Sequence, residues 1–160
     1  MSRRCYLGLG SNLQDPQRQI TRAIEDIGNS PNVAVIAQSS MYGSAPMGPQ
    51  DQNDYVNAVA EIETDLSALT LLGAVRAVEE SFGRDRSVVR WGPRIIDIDI
   101  LLFGDQELVL RRLKIPHPGL TQRAFVVVPL LEIAPNLRLP DGRLLAEFEG
   151  NFPSNAVNKL

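Results

Sequence analysis

Two aspartates alternate with isoleucines over residues 96–100 of the chain. In an extended strand, residues two apart point to the same face, about 6.8 Å from one another, so Asp97 and Asp99 project together. Aspartate is rare in strands, and aligned carboxylates repel each other unless a cation lies between them. A divalent ion such as Mg²⁺, which accepts one or two protein carboxylates with phosphate oxygens and water, suits this pair. Two solvated acids on an exposed strand face are the alternative.

An arginine-rich segment precedes the acidic strand. Arg84, Arg86, Arg90 and Arg94 fall within eleven residues, and Trp91 lies among them. Guanidinium groups bind phosphate oxygens bidentately and keep their charge at neutral pH. Beside a metal-binding carboxylate pair, they indicate a clamp for a polyphosphate. A solvated basic loop is the alternative.

Several other chemistries lack their motifs. The Gly8-Leu9-Gly10 segment has no third glycine of the dinucleotide fingerprint, and no P-loop motif occurs in the chain. His117 is the only histidine, so a histidine-rich metal site is not expected. Between Pro116 and Pro118, His117 is also consistent with a rigid surface turn. The lone Cys5, in an apolar strand, is expected to be a buried filler rather than a reactive thiol.

Composition sets broad limits on the class of protein. With 160 residues, 44% hydrophobic and 22% charged, the chain is expected to form one globular domain over residues 1–160. Its apolar stretches are far shorter than the ~20 residues of a membrane span. The apolar residues 5–9 are too short for a signal peptide, and we expect a cytoplasmic protein. A net charge of −3 argues against general nucleic-acid binding, so any anion site must be local.

Hydrophobic periodicity predicts an α+β fold. Strands are expected at residues 5–9, 33–42, 55–63, 96–103 and 107–110. A first helix is expected to begin with Asp15 as its N-cap and to end at Gly28 in a left-handed cap, and a second is expected to end at Gly83. The order β-α-β-β-α-β is typical of a ferredoxin-like sheet with both helices on one face. The proline-rich last fifty residues should form short helices and turns around that sheet.

A long motif then indicates a family. Residues 90–101, which read Arg-Trp-Gly-Pro-Arg-Ile-Ile-Asp-Ile-Asp-Ile-Leu, closely resemble the signature of the 6-hydroxymethyl-7,8-dihydropterin pyrophosphokinases of folate synthesis. The likeness extends from Gly-Ser-Asn-Leu at residues 10–13 to Glu-Ile-Ala-Pro at residues 132–135. It therefore covers nearly the whole chain.

The resemblance implies an enzyme that transfers the terminal diphosphate of ATP to the hydroxymethyl group of the reduced pterin and releases AMP. It implies two Mg²⁺ ions, held by Asp97 and Asp99 against the ATP phosphates, and a fold that agrees with the predicted order of elements. Arg84 and Arg94 would stabilise the transferring group. We expect a monomer that binds these two small-molecule substrates and neither nucleic acid nor membrane.

The same resemblance implies two binding regions. The pterin pocket would comprise Ser44, Ala45, Met47, Tyr55, Asn57 and Phe125, with Asn57 recognising the ring edge. The ATP contacts would comprise Leu72, Glu79, Arg86, Arg90, Trp91, Ile100, Arg112, His117 and Arg123. The segments at residues 43–54 and 83–93 are expected to close over ATP.

Three positions depart from the family pattern. Asn53 lies where proline is common, Ile95 where threonine is common, and Gly119 where arginine often follows His-Pro.

Two other functions share some of these sequence features. A nucleotidyltransferase also pairs a Gly-Ser turn with an Asp-x-Asp strand, but the two lie close in its sequence. An RNA-recognition sheet needs exposed aromatics, and aromatics make up only 6% of this chain.

Overall fold

The computed structural model describes residues 2–44, 54–83 and 95–160 of the chain. Within these ranges the strands are β1 (Arg3–Ser11), β2 (Val33–Gln38), β3 (Tyr42–Ser44), β4 (Tyr55–Thr64), β5 (Asp97–Phe103), β6 (Leu108–Val109), β7 (Lys114–Ile115) and β8 (Asn158–Lys159). The α-helices are α1 (Pro16–Gly28), α2 (Ala68–Gly83) and α3 (Ala124–Ile133), with 3₁₀ helices at Leu120–Gln122 and Leu145–Asn151.

The main sheet is antiparallel. In the described part of the chain its strands follow the order β5-β1-β4-β3-β8, and β2 also pairs with β4. Every pairing in it is antiparallel. The prediction of a mixed fold with such a sheet and several helices is confirmed. The strand expected at residues 107–110, directly after the turn at Gly104-Asp105, is shorter (β6), and it pairs with β7 in a separate two-stranded sheet.

Apolar side chains pack on both faces of the sheet. The stripes predicted for α1 and α2 are buried with alternate strand residues in one core cluster. A second cluster joins the other face to α3 and to the 3₁₀ helix Leu145–Asn151. At about 25 cal/mol per Å², burial of such apolar surface is the main stabilising contribution. No helix of the described residues is long and apolar enough to cross a membrane.

The predicted positions of both ends of α1 are confirmed, but the two capping interactions predicted there do not form. Asp15 does precede Pro16 at the start of α1, but its backbone is left-handed (φ 61°) and its side chain makes no capping hydrogen bond. A capping side chain needs an extended backbone to reach the first free amides. At the other end, Asn29 follows in a right-handed conformation (φ −89°), and Gly28 has no positive φ. A Cβ at Gly28 would lie 3.3 Å from Val35 Cγ2, so close packing is what its missing side chain permits.

The strand predicted at residues 33–42 is interrupted. β2 ends at Gln38, β3 begins at Tyr42, and a register shift between Val35 and Ala37 precedes the break. The hydroxyl of Ser39 accepts a hydrogen bond from the Val59 amide, so this amide of β4 has an acceptor although β2 has already ended. The C-terminal strand β8, which pairs with β3, was not predicted.

Glu132 of α3 holds the interruption in place. Its carboxylate accepts hydrogen bonds from the Ser40 amide and hydroxyl and from the Tyr42 hydroxyl. Burial and this carboxylate together raise the pKa of Tyr42 to about 12, so the phenol remains a donor at neutral pH. For Glu132, burial favours the protonated form, but the donated hydrogen bonds outweigh it and lower the pKa. The carboxylate therefore links α3 to β3.

We expect Glu132→Ala to lower the free energy of unfolding by about 1–3 kcal/mol, because it leaves three donors without their acceptor.

Glu132→Gln tests the charge of this side chain alone. Since folding lowers the pKa of Glu132, its contribution is present above the unfolded pKa and is lost as pH falls through the folded one. Urea unfolding should therefore show the wild type losing more stability than Glu132→Gln between pH 7 and about pH 3. Glu25→Gln on the exposed face of α1 is the control, and parallel pH curves for wild type and Glu132→Gln would contradict the assignment.

Candidate active site

One cavity of about 510 Å³ lies between β5, α2, the residues around β7 and the start of α3, and it extends across β1 to β4. It brings together the site residues predicted from sequence. Every one of them that falls in the described ranges lines it, namely Ser44, Tyr55, Asn57, Leu72, Glu79, Asp97, Asp99, Ile100, Arg112, His117, Arg123 and Phe125. The other predicted site residues, Ala45, Met47, Arg84, Arg86, Arg90, Trp91 and Arg94, lie outside the described residues, as do Asn53 and most of the two segments expected to close over ATP.

The predicted alternation of β5 is confirmed. Asp97 and Asp99 are exposed on the face that lines the cavity, while Ile98 and Ile100 are buried. The pair is thus accessible to a ligand, with its strand anchored by apolar packing. Among the described residues, no group of three or more histidine, cysteine or acidic side chains is arranged to hold a metal. The protein thus offers a pair of carboxylates rather than a complete cage.

The central strand β1 presents glycines beside the aspartates. Gly10 pairs with Asp97 on one side and with Asn57 on the other, and Gly8 pairs with Asp99. A Cβ at Gly10 would lie 2.8 Å from Asn57 Oδ1. The missing side chain of Gly10 therefore leaves room for Asn57 Oδ1 over β1. Asp97 and Asn57 lie on strands about 10 Å apart, at two strand spacings.

The start of β5 is fixed by a serine that follows those glycines. Ser11 is buried, and its hydroxyl donates a hydrogen bond to the Ile95 carbonyl. Ile95 and Ile96 are themselves buried in the apolar core, so the departure from threonine at residue 95 adds core packing before the acidic strand. This contact between Ser11 and Ile95, 84 positions apart in sequence, therefore brings the two motifs together.

The outer edge of β5 has partners on two sides. The Ile98 amide donates a hydrogen bond to Glu79 Oε2 of α2 at 2.9 Å, and the His117 amide donates to the Leu101 carbonyl at 3.0 Å. A strand at a sheet edge exposes backbone groups that must find other acceptors or donors. Here those contacts fix α2 and the residues after β7 around the cavity.

His117 faces the aspartates. Its Nε2 lies 3.8 Å from Asp99 Oδ2, and its Nδ1 accepts a hydrogen bond of 3.0 Å from the Gly119 amide. Because Nδ1 is an acceptor, the neutral ring carries its proton on Nε2, towards Asp99. Burial lowers the pKa of His117, Asp99 opposes this, and the positive charge of Arg123 adds to the lowering. The imidazole is therefore mainly neutral at pH 7, and it lies in the cavity rather than in a surface turn.

The charge of the cavity differs from that of the whole chain. Although the net charge is −3, five basic and three acidic side chains of the described residues line the cavity. The basic ones are Arg76, Arg111, Arg112, Lys114 and Arg123, and the acidic ones are Glu79, Asp97 and Asp99. Positive charge is thus in local excess at the cavity, as the overall composition requires of any anion site.

The far side of the cavity combines amide and aromatic groups. The Asn57 Nδ2 donates a hydrogen bond to Ser44 Oγ at 2.9 Å, which fixes an amide that is only 6% exposed. Tyr55 pairs with Ser44 between β4 and β3, and Phe125 approaches from α3. The guanidinium carbon of Arg123 lies 5.7 Å from the centre of the Phe125 ring. Such a combination suits a flat, polar heterocycle.

A family model described as 7,8-dihydro-6-hydroxymethylpterin-pyrophosphokinase matches residues 6–135. The chain belongs to this family. A 2-amino-4-hydroxy-6-hydroxymethyldihydropteridine pyrophosphokinase of Pseudomonas aeruginosa is 48% identical over 160 residues, which cover 100% of this chain and 98% of the relative. The corresponding protein of Haemophilus influenzae is 46% identical over 155 residues, or 97% and 96% of the two chains. The family recognised from residues 90–101 is confirmed.

Solved structures agree on the fold of the pyrophosphokinase family. The Plasmodium falciparum HPPK-DHPS crystal structure with pteroate matches with a TM-score of 0.75 at 14% identity. The match covers 94% of this chain and 42% of that longer chain. At this identity the comparison concerns the fold alone.

Sequence reasoning missed several residues that line the cavity. Gly8 and Gly10 were not assigned to the site: both belong to an incomplete dinucleotide fingerprint, and Gly10 also begins the Gly-Ser-Asn-Leu motif. Their spacing of two nevertheless matches that of the two aspartates. Arg76 lies four residues after Leu72 and three before Glu79, so a helical face would have indicated it. Arg111 and Lys114 flank Arg112, and no periodic signal distinguishes them from other surface cations.

We expect Gly10→Ala to lower the free energy of unfolding by about 1–3 kcal/mol, because the new methyl group would overlap the buried Asn57 side chain. Gly73→Ala is a matched control in α2, where a Cβ meets nothing within 4 Å. It should instead add up to about 1 kcal/mol through helix propensity. Thermal and urea unfolding measure both changes, and wild-type stability in Gly10→Ala would show that Asn57 is not held against this strand.

Proposed function

We propose that the protein transfers the terminal diphosphate of ATP to the hydroxymethyl group of 6-hydroxymethyl-7,8-dihydropterin and releases AMP, as a step of folate biosynthesis. The observation that carries the proposal is that two groups of side chains line the same cavity. The aspartate pair and the cationic side chains form one group, and Asn57 and Phe125 form the other, with β1 pairing between Asp97 and Asn57. A triphosphate and a flat acceptor can therefore lie side by side. The high identity with pyrophosphokinases over the whole chain supports the same reaction.

The architecture proposed with this function is a single domain over residues 1–160 with a ferredoxin-like core. The supporting features are the strand order β5-β1-β4 followed by β2 and β3, the antiparallel pairing, and the packing of α1 and α2 in one core cluster. The crossover connections place a helix after β1 and another after β4. Both are expected of a split βαβ arrangement.

The donor set fits Mg²⁺. Asp97 and Asp99 supply two hard oxygen ligands on one exposed face, which suits an ion that keeps water and phosphate oxygens in its shell. We propose that these residues hold two ions with ATP. When bound, Mg²⁺ neutralises phosphate charge and acidifies a coordinated hydroxyl. His117 Nε2 lies 3.8 Å from Asp99 Oδ2, beyond hydrogen-bond distance, and the neutral ring adds no charge that would compete with a cation.

On the ATP side, the proposed contacts divide by chemistry. Leu72 and Ile100 offer apolar surface for a base, and Glu79 keeps the edge of β5 in position through the Ile98 amide. Arg112, Arg123 and His117 are assigned to ribose and phosphate groups. Arg84 and Arg94 are assigned to the transferring group, and Arg86, Arg90 and Trp91 to the covering segment, from the family resemblance.

On the pterin side, Asn57 is assigned to the polar edge of the ring. Its amide is pre-oriented by Ser44, so little conformational entropy is lost on binding. Tyr55 and Phe125 would cover the ring faces, with Ala45 and Met47 added from the resemblance. Because the attacking oxygen belongs to the pterin, positioning and charge neutralisation provide the catalysis, and no protein nucleophile or dedicated base is assigned.

The proposed setting is a cytoplasmic monomer that binds small molecules. The buried thiol of Cys5 supports a structural role, since burial raises its pKa to about 11 and suppresses the thiolate. Nucleic acid is not a proposed partner, because a chain with net charge −3 has no general excess of positive charge.

The reaction is tested by incubating the protein with ATP, Mg²⁺ and 6-hydroxymethyl-7,8-dihydropterin and identifying the nucleotide product. We expect AMP and a pterin diphosphate in equal amounts. ADP would indicate transfer of one phosphate, and AMP with free pyrophosphate would indicate nucleotidyl transfer or hydrolysis. Either result, or no turnover, would overturn the proposal.

Asp97→Asn and Asp99→Asn should each lower kcat/KM roughly 100-fold or more, because each removes a charge that would hold the cations against the phosphates. Melting temperature without Mg²⁺ should be unchanged or raised, since one of two neighbouring like charges is gone. Asp105→Asn is the matched control, an exposed aspartate in the turn that follows the same strand. Near-wild-type turnover in either site variant would exclude the carboxylate from cation binding.

A further inference from the structure

Gly119 lies between His117 and the 3₁₀ helix Leu120–Gln122. Its backbone angles are φ −93° and ψ 5°, a region that residues with side chains also occupy in turns. The fold therefore does not need glycine at this position for its conformational freedom. The missing side chain instead affects the space around Gly119.

That space is filled by Arg123. A Cβ at Gly119 would lie 2.7 Å from Arg123 Nε, 3.0 Å from Cζ and 3.3 Å from Cδ. Carbon atoms do not approach other heavy atoms so closely without displacement. The side chain of Arg123 thus lies against the bare backbone of Gly119 along most of its outer length.

This path leads the guanidinium into the cavity. Arg123 lines it together with His117, and the guanidinium carbon lies 5.7 Å from the centre of the Phe125 ring. Gly119 thus contacts two cavity residues, because its amide also donates the hydrogen bond that orients the His117 ring.

We propose that Gly119 is a positioning residue for ATP binding: by leaving its side-chain space open, it allows the Arg123 guanidinium to lie in the cavity beside Phe125. The inference rests on the proposed function, since it treats Arg123 as an ATP contact. Glycine after His-Pro thus leaves space for Arg123, a residue that the family resemblance already assigns to ATP.

The proposal predicts which atoms move when a side chain is added. The nearest atoms belong to the outer part of a flexible side chain, not to backbone. Gly119→Ala should therefore displace the guanidinium while the turn and the fold remain. A structural role would behave differently, because it would lower the melting temperature.

The test compares wild type, Gly119→Ala, Arg123→Ala and the double variant. Calorimetry with a non-hydrolysable ATP analogue and Mg²⁺ gives affinity, and steady-state assays give kcat and KM for ATP. We expect Gly119→Ala to weaken analogue binding and to raise KM roughly five- to tenfold with little change in kcat. The double variant should bind no more weakly than Arg123→Ala, because Gly119 acts through that side chain. Gly150→Ala is the control, because Gly150 lies in the 3₁₀ helix Leu145–Asn151 and an added Cβ would meet nothing within 4 Å. This variant should match wild type.

Nitrogen NMR of the single histidine provides an independent readout. The Nε2-protonated ring should persist in Gly119→Ala, since the amide donor to Nδ1 is retained. Loss of that tautomer, a lower melting temperature, additive effects in the double variant, or wild-type affinity in Gly119→Ala would each overturn the inference. The proposed function would be overturned if the wild type itself failed to bind the analogue and failed to form AMP from ATP and the pterin. A wild type that does both, beside an unaffected Gly119→Ala, would overturn only the role of Gly119.

Discussion

Strand β1 is hydrogen-bonded along both edges, and its register determines what faces the cavity. Pairing with β5 places the two aspartates beside Gly8 and Gly10, and pairing with β4 places Asn57 opposite Gly10. A shift by one residue would turn every one of these side chains to the opposite face. The apolar residues of β1 on the other face, packed with α1 and α2, oppose such a shift. The core therefore fixes the geometry of the proposed reaction.

Electrostatics inside the cavity depend on distances between groups that are far apart in sequence. His117 lies 3.8 Å from Asp99, yet burial and Arg123 keep its ring mainly neutral. Basic residues from α2, from the residues around β7 and from the segment before α3 surround the carboxylates. A polyanion with its cations would thus find charges of both signs already arranged, with little reorganisation on binding.

Helix α3 connects stability to recognition. One end holds Phe125, with Arg123 immediately before it, and the other end holds Glu132, which binds the turn between β2 and β3. Because β3 contains Ser44, whose hydroxyl orients Asn57, the carboxylate of Glu132 supports the pterin side through backbone position. The link is a positional one, and it explains why a helix outside the β-α-β-β-α-β order belongs to the site.

The sequence by itself determined the family, the helical stripes and the outward alternation of Asp97 and Asp99, because these follow from local periodicity and from a long uninterrupted motif. It did not determine how the ends of α1 are capped. Asp15 has a left-handed backbone without a capping hydrogen bond, and Gly28 serves close packing rather than a left-handed cap. Nor did it identify β8 or the space that Gly119 leaves for Arg123. Those features depend on strand register and on contacts between distant segments, and such contacts exist only once tertiary packing has brought the residues together.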